Sequence, residues 1–344
     1  MDDSIDFRLD SDGRAHLEPS LTDLVGAASL EAYTDYENSS NPSYTPPNLN
    51  YGSRPYVFRK RFTGFDDVDW GSGIEERFGL IYQWSARPDY YLIAFRGTSS
   101  IYDMVLDLES PVPVEFEPYR SHGNFPHPVH VGDGFYKIYS TRTSPMKLSM
   151  RAQLFQDIAS FSTPPSHIII TGHSLGCALA SLFALDLAAS GPSVSILNVN
   201  FASPRVGTGS WENAYNNTYA LEKKTVRVRN AYDMVPKLPP EYPPIDFRHV
   251  GMEFPVSFTV EDYSIDLKLI IESWHSLLNY RYVVDRAVKQ SPQVWTGKFP
   301  DQAYKKWNMI SHDPYTSATE LEGADARREL ELLRQLKEKG KGPD

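Results

Sequence analysis

The sequence has a single cysteine, Cys177, so no disulfide bond can form within the chain. It also lacks any run of 18 consecutive apolar residues, which argues against a transmembrane helix. Acidic residues outnumber basic ones by 44 to 34, and the net charge of −10 argues against a nucleic-acid-binding protein, which usually carries a basic face. We therefore expect neither a nucleic-acid partner nor a membrane-spanning segment, and a lone thiol fits a reducing compartment.

The first residues are acidic and polar, and they lack the basic start and the apolar core of a secretory signal. Together with the single cysteine, this favours a cytoplasmic location. Export by a route that needs no such signal, or a mature secreted form, stays open.

Motifs for metals and cofactors are also missing. The sequence contains no H-E-x-x-H, no cluster of cysteine and histidine, no G-x-G-x-x-G and no P-loop. The acidic stretch at 66–69 lacks the spacing and the glycine of a calcium loop. We therefore expect no cofactor and no bound metal.

Strand-like and helix-like patterns alternate through most of the chain. A helix is predicted after residue 18 with Ser20 as its N-cap, and strand signals are followed by helical ones from about residue 147 onward. Such alternation predicts an α/β protein with a mainly parallel central sheet and helices on both of its faces. The predicted organisation is a polar leader (1–17), a single domain (18–290) and a C-terminal extension with a charged helix (291–344).

A lone serine lies where a predicted strand meets a predicted helix. Three isoleucines at 168–170 are followed by Gly-His-Ser-Leu-Gly at 172–176. A sharp strand-to-helix turn projects its central residue above the sheet edge, and glycine is needed two positions to either side because side chains there would clash. The free N–H groups at the start of the helix favour an oxyanion. We therefore predict that Ser174 is a nucleophile and that the backbone N–H of Leu175 donates to the oxyanion.

A serine nucleophile needs a histidine base and a carboxylate that orients it, and in α/β-hydrolase-type chains these follow in the order serine, acid, histidine. Asp233 comes directly after a strand pattern at 225–230 and is the predicted acid. Three histidines follow: His249 in a strand-like stretch, His275 at the predicted start of a helix, and His312 in a weakly patterned tail. The pattern alone favours His275 over His249 without excluding the latter.

The segment 99–109 carries an apolar stripe with the spacing of a short amphipathic helix. Such a helix either packs permanently on the core or forms a lid that covers the serine and exposes an apolar face to lipid when it opens. The stripe consists of Ile101, Met104, Val105 and Leu108.

Several blocks of the sequence resemble the class 3 lipases, the family of filamentous-fungal triacylglycerol lipases and their bacterial relatives, and they follow one another in the same order as in that family. The resemblance spans roughly residues 20–290, and ordered blocks are more specific than any single motif. The blocks are AFRGTSSIYDMVLDLE, VHVGDGFYKIYS, ITGHSLGCALASLFALDL, FASPRVGTGSWENAY, VRNAYDMVPKLPP, FRHVGMEF and WHSLLNYRYV.

This resemblance implies an α/β-hydrolase-type fold with a short helical lid at 99–109, and it assigns roles to individual residues. It implies that Asp233 and His275 are catalytic and that His249 is not. It also implies that Thr98 supplies the second oxyanion donor, and Thr98 does lie just past the end of a predicted buried strand, where the active sites of such sheets gather.

The sequence departs from the family pattern in three places. Cys177 stands where glycine is usual, and we predict that its thiol fills a small buried space. The secreted fungal enzymes contain disulfides, which this chain cannot form. The tail beyond residue 290 has no counterpart in the family pattern.

These observations predict a serine carboxylic-ester hydrolase that cleaves acylglycerols through an acyl-enzyme, at a lipid–water interface. A phospholipase A1, a short-chain or feruloyl esterase of the same fold, and an exported membrane-attacking phospholipase stay open. The alternative from another class is a catalytically silent lipase-like binding or signalling module. The presence of every triad residue type argues against that alternative, whereas acyl-chain preference and oligomeric state do not follow from the sequence.

Overall fold

The computed structural model divides the chain into two compact units. Unit 1 comprises Met1–Arg229 and Asp233–Phe254, and unit 2 comprises Asn230–Tyr232 and Pro255–Asp344. The domain boundaries predicted at residues 18 and 290 stay a prediction. The residues that the structure describes are 7–9, 15–52, 54–66, 74–98, 111–120, 125–144, 146–190, 194–241, 246–261, 263, 266–290, 297–298 and 309–314.

The described strands are numbered along the chain. They are β1 (Leu49–Tyr51), β2 (Arg54–Asp66), β3 (Ile74–Trp84), β4 (Tyr90–Phe95), β5 (Pro113–Glu115), β6 (His130–Gly132), β7 (His167–His173), β8 (Ser195–Phe201), β9 (Gly207–Thr208), β10 (Thr225–Asn230), β11 (Phe247–Arg248), β12 (Met252–Val260), β13 (Gly297–Lys298) and β14 (Met309–His312).

The described helices are numbered in the same way. They are α1 (Pro19–Glu37), α2 (Asp133–Ser140), α3 (Met150–Ser160), α4 (Leu175–Ser190), α5 (Gly209–Glu212), α6 (Leu267–His275) and α7 (Leu277–Lys289), with a π-helix at Asn213–Thr218 and 3₁₀ turns at Glu222–Lys224 and Val235–Lys237. Helix α1 begins at Pro19 rather than after a Ser20 cap, because proline with its fixed φ occupies the first turn and Glu18 caps the helix without a side-chain hydrogen bond.

The central sheet of unit 1 has the strand order β1-β2-β3-β4-β7-β8-β10. The pairs β4/β7, β7/β8 and β8/β10 are parallel, whereas β1, β2 and β3 add an antiparallel wing beside β4. Strand β7 is almost wholly buried, as expected of a central parallel strand. A smaller antiparallel sheet in unit 1 has the order β11-β9-β6-β5.

The register of the parallel strands brings their carboxyl ends side by side. Phe95 in β4 pairs with Gly172 in β7, and the next β7 residue, His173, pairs with Phe201 in β8. Val228 in β10 also pairs with Phe201. The segments that leave β4, β7 and β10 therefore emerge at one edge of the sheet, which is where ligands bind in folds of this kind.

In unit 2, part of the predicted C-terminal extension forms strands. Strand β14 pairs antiparallel with β12, with Ser257 opposite His312 and Val260 opposite Met309, and β13 pairs with β14. His312, which the sequence places in a weakly patterned tail, is therefore the last residue of a strand.

Candidate active site

Ser174 occupies the sharp turn between β7 and α4. Its φ of 61° lies in the left-handed region, which is strained for a residue with a side chain and is often found at functional sites. The N–H of Ser174 donates to the carbonyl of Phe201 (3.1 Å), and its own carbonyl accepts from the N–H of Cys177 (2.9 Å). These two bonds hold the turn from the β8 side and from the helix side. The serine is 2% exposed.

The two glycines of the motif allow this turn to pack without a gap. A Cβ added to Gly172 would lie 2.4 Å from the carbonyl oxygen of Gly176. A Cβ added to Gly176 would lie 2.6 Å from the carbonyl oxygens of both Phe95 and Arg96. Because these neighbours are backbone atoms, glycine is required at both positions, as the sequence predicts.

The segment that leaves β4 lies directly beside the serine. A Cβ added to Gly97 would lie 2.7 Å from the Cβ of Ser174 and 2.7 Å from the carbonyl oxygen of His173. Thr98 is the next residue along this segment. Leu175 is the first residue of α4, and the first N–H groups of a helix have no acceptor within it. Both predicted oxyanion donors thus belong to segments that adjoin Ser174.

Asp233 is 1% exposed and begins the loop that follows β10. Its Oδ1 accepts from the N–H of Val235 (3.0 Å), which fixes the carboxylate within its own turn. Burial raises the pKa of the Cys177 thiol well above its usual value, and the negative charge of Asp233 raises it further. Since Cys177 lies three residues after Ser174, the carboxylate is within electrostatic range of the turn.

Cys177 itself has the packing role predicted for it. Its side chain is fully buried, and its thiol donates to the carbonyl oxygen of Phe201 at 3.0 Å.

The loop of residues 233–240, called here the acid loop, is held by cationic and polar side chains. Nε2 of His249 lies 2.7 Å from the carbonyl oxygen of Pro236. Arg205 donates through Nη1 to the carbonyls of Lys237 and Pro239, the latter at 2.9 Å. His249 therefore lies between β11 and β12 as a hydrogen-bonded support of the loop.

The surroundings of His249 keep it neutral. Burial lowers the pKa of this imidazole well below its usual value, and the positive charges of Arg227, Arg205 and Arg229 lower it further. Since a neutral imidazole whose Nε2 faces a carbonyl must carry its proton there, Nε2 is the donor.

His275 belongs to unit 2 and is 5% exposed. The sequence predicts that it opens a helix, but this prediction is wrong: His275 is the last residue of α6, and α7 begins at Leu277. The break arises because Ser276 has an extended conformation (φ −62°, ψ 121°), which ends one helix and starts the next. His275 therefore lies at a corner between two helices.

Asn230 holds this corner through a network that the sequence analysis did not identify. Its Nδ2 donates to the carbonyls of Trp274 (3.0 Å) and Phe258 (3.1 Å), and its Oδ1 accepts from the N–H of Phe258 (3.0 Å). The N–H of Asn230 donates to the hydroxyl of Tyr280 (2.8 Å). The one available signal is that Asn230 stands where the alternation of Val226 and Val228 would place a third apolar residue.

The predicted lid lies outside the described residues. This applies to the whole segment 99–109 and to its apolar stripe of Ile101, Met104, Val105 and Leu108.

Among the described residues, one group could in principle ligate a metal ion: carboxylate oxygens of Glu115 and Glu117 and a ring nitrogen of His127 lie within 4.8 Å of one another. All three side chains are exposed. Nδ1 of His127 lies 3.0 Å from Glu115 and its Nε2 lies 3.8 Å from Glu117. Each ring nitrogen of His127 therefore faces a different carboxylate.

Comparison with known proteins finds a family match in the central segment. Residues 92–242 match the family model described as Lipase (class 3), and over these residues the resemblance predicted from the sequence is confirmed.

Curated relatives include the enzyme named phospholipase A1-II 3 of Oryza sativa subsp. japonica, which is 32% identical over 209 residues, covering 56% of this chain and 48% of the relative. The protein named galactolipase DONGLE, chloroplastic, of Arabidopsis thaliana is 27% identical over 220 residues, covering 57% of this chain and 45% of that protein. The chain thus spans about half the length of the curated relatives that it matches.

Among solved structures, the M37 lipase is similar with a TM-score of 0.50 and 16% sequence identity, covering 77% of this chain and 92% of that one. At this level of identity the similarity concerns the fold. The predicted α/β class, with an α/β-hydrolase-type sheet that is parallel at its centre, is confirmed.

Proposed function

We propose that this protein is a serine carboxylic-ester hydrolase that acts on acylglycerols. The observation that carries the proposal is the geometry of Ser174: a buried serine with a left-handed backbone, between two glycines that packing requires, with Gly97 against its Cβ. This geometry is the strand–turn–helix context that a nucleophilic serine needs. The class 3 lipase match over residues 92–242 supports the same activity.

Ser174, Asp233 and His275 form the catalytic triad of this proposal. Supporting contacts lie within unit 2, which includes Asn230–Tyr232: the Trp274 carbonyl accepts from Nδ2 of Asn230, and the Trp274 ring lies 5.9 Å from that of Tyr232. Asp233 is the next residue after Tyr232, and His275 is the next residue after Trp274.

In the proposed reaction, Oγ of Ser174 attacks the acyl carbonyl while His275 accepts the hydroxyl proton. The backbone N–H groups of Leu175 and Thr98 hold the resulting oxyanion, and the carboxylate of Asp233 stabilises the imidazolium. The tetrahedral intermediate collapses to an acyl-enzyme as His275 returns the proton to the leaving alcohol. Water, deprotonated by His275, then attacks the acyl-enzyme, releases the fatty acid and restores the serine.

A phospholipase A1 is the second candidate, and a specific observation favours it. The curated relatives include proteins named phospholipase A1 and galactolipase, at identities up to 32%. The ester in both candidates is a fatty-acyl ester of a glycerolipid, so the same serine chemistry serves either one. The difference lies in the head group that the protein tolerates beside the scissile ester.

The proposed lid at 99–109 concerns access to this site. We expect Ile101→Asp or Leu108→Asp to reduce activity on emulsified long-chain esters more than on soluble short ones, because the stripe would adsorb to lipid. Equal losses on both substrates would count against a lid.

Hydrolysis of p-nitrophenyl butyrate by the wild type and by Ser174→Ala tests the proposal. We expect Ser174→Ala to lose at least about 10³-fold in kcat. Ser181→Ala is the matched control, since Ser181 lies in the same helix, is fully buried and bonds to Asn200 rather than facing the turn. An inert wild type would favour the silent binding module, and a fully active Ser174→Ala would exclude Ser174 as the nucleophile.

A panel of triacylglycerols, phospholipids and hydroxycinnamate esters of graded chain length then separates the ester hydrolases. Faster release of fatty acid from phospholipid vesicles than from triacylglycerol emulsions would identify the phospholipase. The reverse preference would identify the lipase, and activity confined to soluble short or aromatic esters would identify an esterase.

A further inference from the structure

Tyr33 of α1 reaches the point where the two proposed oxyanion segments meet. Its hydroxyl lies 2.8 Å from Nδ1 of His173, the residue that precedes Ser174. The same hydroxyl lies against the end of the β4 segment, since a Cβ added to Gly97 would come within 2.4 Å of it. One phenolic oxygen therefore contacts both the nucleophile turn and the segment that carries Thr98.

The hydrogen bonds around this oxygen have a definite direction. Burial raises the pKa of the Tyr33 hydroxyl, while a backbone hydrogen bond from Gly97 opposes that rise. Since the Gly97 N–H donates to the phenolic oxygen, the phenolic O–H is available to donate to Nδ1 of His173. A neutral imidazole that accepts at Nδ1 carries its proton on Nε2.

We infer that Tyr33 is a positioning residue for the oxyanion hole, whose hydroxyl ties the Gly97–Thr98 segment to His173 and so sets the distance between the two oxyanion donors. The inference rests on the proposed ester hydrolase function. In this proposal Tyr33 is not itself an oxyanion donor, and it acts through the backbone segments that carry the donors.

These hydrogen bonds of the Tyr33 hydroxyl matter because the two oxyanion donors come from different segments. Leu175 belongs to α4, whereas Thr98 follows β4, and Gly97 itself has no side chain with which to fix the spacing. An oxyanion hole works only when its donors are fixed in advance around the position of the developing charge. Because complete loss of one donor costs about 10²- to 10³-fold in kcat, a donor that is loosened rather than removed should cost about tenfold.

Tyr33→Phe tests the inference because it removes only the hydroxyl. With p-nitrophenyl butyrate we expect kcat to fall about tenfold while KM stays within about twofold, since the tie concerns the transition state rather than substrate binding. Tyr36→Phe is the matched control. Tyr36 lies in the same helix, its hydroxyl donates to Glu76 (3.3 Å), and the ring that packs on Arg96 is kept by phenylalanine. We expect wild-type kcat from this control.

A transition-state mimic separates positioning from a general structural role. Butylboronic acid adds to a nucleophilic serine and places a negatively charged oxygen in the oxyanion hole. In Tyr33→Phe, assayed well below its melting temperature, we expect the Ki to rise by the same factor as kcat/KM falls. A fall in kcat with a wild-type boronate Ki would overturn the inference.

Variants at His173 test the same tie from its other end, and they serve if Tyr33→Phe does not fold. His173→Asn keeps an acceptor near the position of Nδ1, so we expect it to retain most of the wild-type kcat. His173→Leu lacks that acceptor and should lose about as much as Tyr33→Phe. Equal kcat values for His173→Asn and His173→Leu would overturn the inference.

Failure of the inference and failure of the proposed function give different results. A wild type that turns over, a dead Ser174→Ala and an unchanged Tyr33→Phe would overturn the positioning role alone. A wild type that hydrolyses no ester would overturn both.

Discussion

Two parts of unit 1 hold their proposed catalytic side chains by opposite means. The turn of residues 172–176 depends on side chains that are missing, because a Cβ at either of its glycines would strike backbone atoms at 2.4–2.6 Å. The acid loop depends on side chains that are present. His249 donates to the carbonyl of Pro236, and Arg205 donates to those of Lys237 and Pro239.

The packing around the turn and the composition of the acid loop explain this difference. Parallel strands and a closely packed helix leave no room for a side chain at Gly172 or Gly176, so close backbone packing shapes the turn around Ser174. The acid loop contains several prolines, which cannot donate a backbone hydrogen bond, and its carbonyls must find donors elsewhere. Added side-chain volume should therefore disrupt the turn, whereas loss of hydrogen-bond donors should disrupt the acid loop.

Gly176→Ala is the strongest way to break the turn. The new Cβ would meet the carbonyl oxygens of Phe95 and Arg96 at 2.6 Å. Strand β4, which ends there, cannot shift without disturbing its pairing with β3 and β7. We expect a loss of more than about 3 kcal/mol in the free energy of unfolding, together with loss of esterase activity. Urea denaturation followed by intrinsic fluorescence measures the first, and p-nitrophenyl butyrate hydrolysis measures the second.

Gly134→Ala provides the matched control for added volume. A Cβ at Gly134, in α2, would meet nothing within 4 Å, so the methyl group is accommodated. Because alanine is the better helix former, we expect a gain of about 0.5–1 kcal/mol. Equal stability changes for the two glycine variants would show that packing at the turn is looser than the distances indicate.

The sequence predicts much of the turn, because its determinants are local. An apolar strand, a serine between two glycines and a helix of small residues lie within about 25 consecutive positions, and each follows from the chain itself. The acid loop is predicted as far as Asp233, whose place after a strand pattern and before Pro236 marks the end of β10.

The supports of these residues could not be predicted from local patterns. Tyr33 and His173 lie 140 positions apart, and Asn230 and Trp274 lie 44 apart, so nothing near either partner signals the contact. Strand β14 has four residues, too few for a clear alternation. The end of α6 at His275 depends on one extended residue, Ser276, within a stretch that otherwise reads as continuous helix.

Arg205→Met should break the acid loop while keeping the apolar stem of the side chain. The carbonyls of Lys237 and Pro239 lose their charged donor, and we expect the free energy of unfolding to fall by about 2–3 kcal/mol. The activity should fall as well if the loop positions the proposed acid. Urea denaturation and kcat measurements on the same preparation check both expectations.

Arg248→Met is the control for the loss of a cation. Arg248 is 37% exposed and forms surface ion pairs with Glu241 and Asp246, which stabilise little. We expect a change within about 0.5 kcal/mol. A similar loss in both arginine variants would mean that net charge, rather than the donated hydrogen bonds, stabilises this region.

His249→Gln sharpens the comparison through pH, because the glutamine amide can still donate to the Pro236 carbonyl but does not titrate. Burial and the nearby charges of Arg227, Arg205 and Arg229 lower the pKa of His249, so the folded protein leaves it neutral at pH values where the unfolded chain is protonated. The unfolded state then binds more protons, and the free energy of unfolding falls as the pH drops below about 6.5. This group contributes a loss of up to about 1.4 kcal/mol per pH unit.

We therefore expect the difference in stability between the wild type and His249→Gln to shrink from pH 7 to pH 5, as measured by urea denaturation at each pH. Above pH 7 the difference should be constant, since both folded and unfolded states then hold a neutral imidazole. A variant outside the acid loop should show no counterpart to this effect: Gly134→Ala in α2, which changes no titrating group, should keep a constant difference from the wild type over the same range. A constant difference for His249→Gln as well would mean that this histidine takes up its proton in the folded protein, and the acid loop would then have to tolerate a cation among three arginines.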